Sequence, residues 1–248
     1  MTEDENVKAE IVKGSVEVIK TAYTDAFQPV AKEAGKALGT LGRAVNVALS
    51  PLKGVVWSFE QIEEFVSTKV TAKLEQKGVS EENITTPDPD IAVPVVEALR
   101  YSKLKDEYAA LLATSMDKNS GNEAHPAYVE ILKQLQPDEA KILKALDANV
   151  SYPFIELIFK ANDSKLGEKP YGFFYGSLFR DAKLDVFNKV NVYIKNLERL
   201  GLIEMPLERY LTTPNTYEPI WDNKALEGFK KMKLDGHKAD YKLSLIHI

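Results

Sequence analysis

The side chains that could do chemistry are few and scattered. The chain has 3 histidines and 0 cysteines, so thiolate nucleophiles, zinc–thiolate sites and disulfides are excluded. His125 lies between Glu123 and Pro126 at a loop-to-helix junction, where the expected role is capping or a hydrogen bond. A catalytic or metal-ligating role would need partners converging on it, and none is spaced to do so. His237 and His247 stand near the carboxy terminus without such partners. There is no G-x-x-x-x-G-K-[ST] phosphate loop and no G-x-S-x-G nucleophile elbow. The expectation is a protein that is not an enzyme and needs no metal or cofactor.

Two sets of residues are suited to contact. In "AKEAGKALGTLGRAVNVALSPLKGVVWSF", residues 31–59, no acid occurs from Ala34 onward. Lys36, Arg43 and Lys53 there could meet anionic lipid headgroups, with Leu38 and Val45 in the apolar stripe. Gly35 and Gly39 form a G-x-x-x-G motif, with Gly42 following. Lys36 sits inside the motif, so close packing of two water-soluble helices is the first reading and a peripheral membrane or partner contact the second. The other set is Lys189, Lys195 and Arg199, on a helix expected over about 185–200. Asp185, Glu198 and Glu204 balance these cations, whereas a groove-reading helix needs an excess of positive charge.

The elements that position these residues follow from periodicity. Val12, Val16, Ile19, Tyr23 and Phe27 share one helical face. Leu38, Leu41, Val45, Ala48, Leu52, Val55, Phe59, Ile62 and Val66 then recur in alternating steps of three and four. Ser50 and Pro51 read as an N-cap and a first helical position, which divides the stripe into helices over about 30–49 and 51–76. The proline-rich stretch 83–94 is a rigid connector, with further helices expected over about 89–101, 103–117 and 126–135.

Pro137, followed by Asp138 and Glu139 at the positive end of a helix dipole, opens a second unit. Its expected helices span about 137–148, 152–161 and 185–200, the last stopped by Gly201. The segment 164–179 reads as a loop packed down by its own aromatics, with a stacking platform for a ligand or nucleobase as the other reading. "GLIEM" then turns strand-like, and "YLTTPNTYEPI" has the composition of a hairpin or wing. The fold class is therefore mainly α: an amino-terminal helical bundle over 12–135, then a winged-helix-like unit over 136–242 with a short β-hairpin or wing. Residues 1–11 are expected to be a disordered acidic leader. Residues 243–248, "LSLIHI", look like a translated sequencing-adapter end and are set aside from the fold.

A net charge of -5 argues against a general nucleic-acid binder. The amino terminus lacks the basic-then-apolar layout of a secretory signal, and no apolar run reaches the length of a membrane span. A cytoplasmic location, with membrane association as a variant, is the expectation. The partners expected are another protein or a second copy of the chain.

Taken in order, "PVAKEAGKALGTLGRAVNVALSPLKGVVW", "ITTPDPDIAVPVVEALRY", "DEYAALLATSMD", "AHPAYVEILKQLQPDEAKILKAL", "VYIKNLERLGLIEMP" and "YLTTPNTYEPI" resemble the bacterial Abi-alpha (abortive infection alpha) family. The resemblance covers roughly 25–222. Family members continue past the wing into a final strand and a short helix, where this chain reaches the adapter-like residues. The resemblance implies defence against bacteriophage, in which an infected cell stops growing or dies before the phage matures. It supplies no catalytic residues. The amino-terminal helices would be the effector and the carboxy-terminal unit a sensor or interaction module, with a DNA-binding regulator as the alternative.

Overall fold

The computed structural model describes residues 40–53, 59–162, 167–206 and 209–248, with side chains outside 52–66. The chain forms two compact units, Met1–Gln134 and Leu135–Ile248. The expected acidic leader, the first amphipathic helix, Lys36 and Leu38 lie outside the described residues.

The first unit contains α1 (Thr40–Lys53), α2 (Phe59–Gln76), α3 (Pro89–Leu99), α4 (Lys105–Met116) and α5 (Pro126–Lys133). Pro51 does not begin a new helix, because α1 runs through it to Lys53. A proline removes one backbone donor, and in the final turn of α1 that loss is confined to the helix end. The central element is α4, which packs against α2, α3 and α5 and buries Tyr108, Leu112 and Met116. The start of α3 is local chemistry: Asp88 accepts the Asp90 N–H at 2.8 Å and Pro89 takes the first position. After α4 the chain is held by Asp117, which accepts from the Ser120 hydroxyl at 2.7 Å and the Asn119 N–H at 3.0 Å. Those two donors hold its carboxyl below the usual Asp range.

The second unit contains α6 (Pro137–Ala145), β1 (Tyr152–Ala161), β2 (Glu168–Tyr175), α7 (Ser177–Asp181), α8 (Val190–Arg199), α9 (Glu218–Trp221), α10 (Glu227–Lys230), β3 (Lys233–Leu234) and β4 (His237–Ile246). The four strands form one antiparallel sheet in the order β2-β1-β4-β3. The protein is thus mainly helical with a four-stranded sheet in its second unit. The helix expected over 152–161 is a strand. Phe154, Ile155, Leu157 and Ile158 are all buried, so β1 is covered on both faces and its apolar run lacks the alternation of a half-exposed strand.

The described part of the aromatic segment, 167–179, is likewise a strand and the start of a short helix rather than a loop. Phe174 faces Phe154 at 5.2 Å between ring centroids. Tyr175 joins Ile155 and Leu157 on the opposite face of the sheet, in a cluster with Tyr217, Ile220, Leu226 and Phe229. Of the hairpin or wing expected over 210–220, residues 210–217 are turn and loop without strand pairing and 218–220 begin α9, and "GLIEM" contributes only an isolated bridge from Glu204 to His247. The tight hairpin lies later, between β3 and β4, where Asp235 and Gly236 make the turn with Gly236 at φ 70°.

Residues set aside as adapter-like complete the sheet. Tyr152 pairs with Ile246, Pro153 with Leu245 and Ile155 with Leu243. Tyr217 fastens the preceding loop to this strand: its hydroxyl donates to the Ser244 carbonyl at 2.9 Å and accepts from the Leu211 N–H at 2.9 Å.

Candidate interaction surface

The helix α8 brings the second set of sequence-predicted cations together. A short 3-10 turn, Phe187–Lys189, feeds it, and Val190, Tyr193, Ile194 and Leu197 are its buried face. The expected inward residues Ile194 and Leu197 are buried, while Leu200 is half-buried. At the end Gly201 takes φ 69°. Its N–H donates to the Glu198 carbonyl at 2.9 Å and the Leu202 N–H donates to Leu197 at 3.0 Å, the paired bonds that close a helix at a left-handed residue.

The outer face is the complement of the buried one. Lys189, Val192, Lys195 and Arg199 are exposed at steps of three and four, so the three cations share one stripe. Val192, at 64% exposure, sits among them. Lys195 pairs with Glu198 at 3.0 Å, and Arg199 donates to Asn196 Oδ1 at 2.6 Å. Lys195 and Glu198 also form one wall of an open cleft of about 640 Å³, whose other lining includes Phe154, Glu156, Phe174 and Lys242.

The underside of α8 is held by groups that the sequence presented only as helix-start acids. Asp138 and Glu139 are 3% and 1% exposed. Asp138 accepts the backbone N–H groups of Asp185 and Val186, each at 2.9 Å, and the Lys141 ammonium at 3.0 Å. Glu139 accepts the Gln136 N–H at 2.6 Å and Asn196 Nδ2 at 3.0 Å. One carboxylate therefore fixes the turn that leads into α8, and the other ties α8 to α6. Burial, and after it the neighbouring Asp138, push the Tyr193 phenol up.

Asn191 anchors the other side. Its amide oxygen accepts the Phe174 N–H at 2.7 Å and its amide nitrogen donates to the Gly172 carbonyl. That occupies backbone groups on the edge strand β2, where Pro170 also has no N–H to offer, and edges blocked in this way resist pairing with a second chain. Asn191→Ala is expected to cost about 1–2 kcal/mol and to cause concentration-dependent self-association, measured by light scattering. An unchanged monomer fraction would show that β2 is protected by something else.

The amino-terminal set is not brought together in the same way. Arg43 is exposed on α1, whereas Val45 has 0% exposure. A surface contact through Val45 is therefore corrected to a core role, since α1 packs on α2 and buries Val45, Ala48 and Leu49. Lys53 is the last residue of α1. His125 is the N-cap of α5, its Nδ1 accepting the Ala127 N–H at 3.1 Å. His237 is buried beside the β3–β4 turn, with Nδ1 2.7 Å from the Asp235 carbonyl. Among the described residues, no group of three His, Cys, Asp or Glu is placed to hold a metal ion, and no helix is long and apolar enough to cross a membrane.

A protein-family model for abortive infection alpha matches residues 58–245, from α2 through almost all of β4. The chain belongs to the abortive infection alpha family. The family match contains α8 and both carboxylates beneath it, and it begins beyond the glycine-laced stretch with Arg43, Val45 and Lys53. No curated protein matches the chain. Among solved structures, an uncharacterized protein from the hydrocarbon-degrading marine bacterium Alcanivorax borkumensis SK2 is similar at 20% identity and a TM-score of 0.33. That match covers 48% of this chain and 82% of the other.

Proposed function

We propose that this abortive infection alpha protein defends bacteria against phage without catalysis, through contacts made by two units. The amino-terminal helices act as effector on a membrane or partner, and the carboxy-terminal unit is the interaction module that responds to infection. Membership of the family supports the defence role. The observation that carries the module reading is α8, a helix clamped from below by Asp138, Glu139 and Asn191 with Lys189, Val192, Lys195 and Arg199 turned outward. In this reading α6, α7 and α8 are the three helices of a winged-helix-like core. The strands β1 and β4, with the Glu204–His247 bridge, form its small sheet.

Cells expressing the full chain are expected to survive as a culture under phage challenge while infected cells stop growing, with membrane potential followed in parallel. Protection with depolarisation, lost in Lys36→Glu and Arg43→Glu, supports a membrane effector. Protection without depolarisation directs the effector to a protein target, and no protection at all overturns the defence role. A DNA-binding regulator is the second reading, favoured by exposed Lys195 and Arg199 on α8 and Lys189 in the turn before it. It requires duplex binding that weakens steeply with salt, and fails if none is seen at low ionic strength.

A further inference from the structure

Three adjacent strands set lysines against one another at one end of the sheet. Lys233 on β3 is the direct partner of Lys238 on β4, and Lys238 is in turn the direct partner of Lys160 on β1. Directly opposed side chains share a face of the sheet with Cβ atoms about 4.5–5.5 Å apart, and like charges in that position are destabilising. Neighbouring carboxylates relieve only part of this. Lys160 reaches Asp240 at 3.9 Å, the outer limit of an ion pair. Glu168, the partner of Lys160 on β2, is 2.7 Å from Lys242 instead. Lys231, Lys233 and Lys238 are exposed and, among the described residues, have no carboxylate at ion-pair distance. Asp235, exposed in the turn, offsets one of them. This end of the sheet therefore carries a surplus of positive charge on a chain of net charge -5.

We propose that the row Lys160, Lys238 and Lys233 binds the phosphodiester backbone of a nucleic acid without reading its bases. The proposal rests on reading the carboxy-terminal unit as an interaction module and names the ligand's chemistry. Cations set at the spacing of neighbouring strands meet a ligand whose charges repeat at every about 3.4 Å of rise along a DNA strand, and ammonium groups contact phosphate as compact point charges. A lipid surface or an amphipathic partner helix would need apolar contact as well, which this face lacks. Leu234, at 39% exposure, follows Lys233 and so projects from the opposite face of β3. Ile158, two residues before Lys160 and on the row's own face of β1, is 2% exposed.

The test uses the full chain at low ionic strength with fluorescent single-stranded DNA, duplex DNA and RNA of about 20 nucleotides. Vesicles of phosphatidylglycerol and phosphatidylcholine and a polyglutamate peptide are compared with them. The expected result is binding that ignores base sequence and falls steeply with salt, weakened about tenfold or more by combined Lys233→Gln and Lys238→Gln, the slope of log K against log salt dropping by about 1 for each lysine. Preference among the three nucleic acids names the source of the backbone. The glutamine variants should melt at or above the temperature of the parent, because opposed like charges are removed, whereas lysines with a merely structural role would lower it. Lys195→Glu with Arg199→Glu on α8 should change binding by less than about threefold. Absence of nucleic-acid binding, equal or tighter binding of the vesicles or polyglutamate, indifference to the glutamine substitutions, or loss of binding through the α8 substitutions overturns the proposal. The same variants in the phage challenge separate the two readings. If the glutamine substitutions abolish binding but protection persists, the module reading falls and the row remains a nucleic-acid site. If the parent chain protects but binds no nucleic acid, the row's assignment falls and the module reading stands.

Discussion

Deleting residues 243–248 is expected to unfold the second unit. Ile246 has 0% and Leu245 7% exposure, and fully burying such side chains stabilises by about 1.5–3 kcal/mol each. The deletion also removes the partners of Tyr152, Pro153, Phe154 and Ile155 on β1, the carbonyl that accepts from Tyr217, and the bridge to Glu204. Together these losses reach about 5 kcal/mol or more, comparable with the whole stability of an ordinary domain at about 5–15 kcal/mol. The first unit has its own buried core, so the 1–242 chain should keep helical circular dichroism while losing the near-ultraviolet signal of the sheet aromatics and binding a hydrophobic dye. Leu245→Ala and Ile246→Ala should each cost about 2–4 kcal/mol. A 1–242 chain that melts within a few degrees of the parent would show that β4 contributes little beyond Lys242.

The second large effect is expected at Asp138. Its side chain, 4% exposed, is a buried charge whose partners come from two directions, and removing one side of such an arrangement leaves several donors unpaired. Asp138→Ala is expected to cost about 3–5 kcal/mol, and Asp138→Asn less because one acceptor remains. Burial alone would raise the carboxyl, but the N–H groups of Asp185 and Val186 and the Lys141 ammonium outweigh it, so it lies below the ordinary Asp value. The folded chain thus holds this proton less tightly than the unfolded chain. The stabilisation is present in full above the unfolded value of about 3.9 and is lost as pH falls through the lower folded value. Urea unfolding at pH 7 and pH 3 checks this. The parent should lose stability between the two and Asp138→Asn should lose less. A cost below about 1 kcal/mol for Asp138→Ala at pH 7 would mean that solvent replaces the lost acceptor.

The helices α3, α5 and α6 were legible because their starts are local: Asp88 before Pro89, His125 before Pro126, and Pro137 followed by two acids. Gly201 marked the end of α8 for the same reason. Each signal is satisfied by a residue a few positions away, so a linear reading can find it. The stop expected at Pro51 shows the limit of that reasoning, since a proline in a last turn and a proline in a first turn look alike until the rest of the helix is placed.

For the candidate site, the sequence placed Lys189, Lys195 and Arg199 on one helix over about 185–200, whereas the helix begins at Val190, so that Lys195 and Arg199 lie on it and Lys189 closes the 3-10 turn before it. It missed Asp138, Glu139 and Asn191 as anchors. Their partners, Val186, Asn196 and Phe174, are distant along the chain, and the only local signal was the helix-start position of the two acids. It also offered Val45 for a membrane or partner contact as the second reading behind a helix seam, because an apolar stripe is compatible with both; α1 packs on α2 and Val45 is fully buried.

The strands were hidden for a related reason. A β-strand satisfies its backbone only through a neighbour, and β1 finds one of its neighbours in β4, at the far end of the chain. Its apolar residues are spaced acceptably for helix or strand, so the pairing decides between them, and burial on both faces removes the alternation that would have disclosed it. Composition, helix caps and the cationic stripe of α8 are properties of single residues and short spacings, and the chain carries them in its order of amino acids. Which acid is buried, which apolar run is a strand and which face of α1 is covered depend on what lies across from each residue, and only the folded chain brings those partners together.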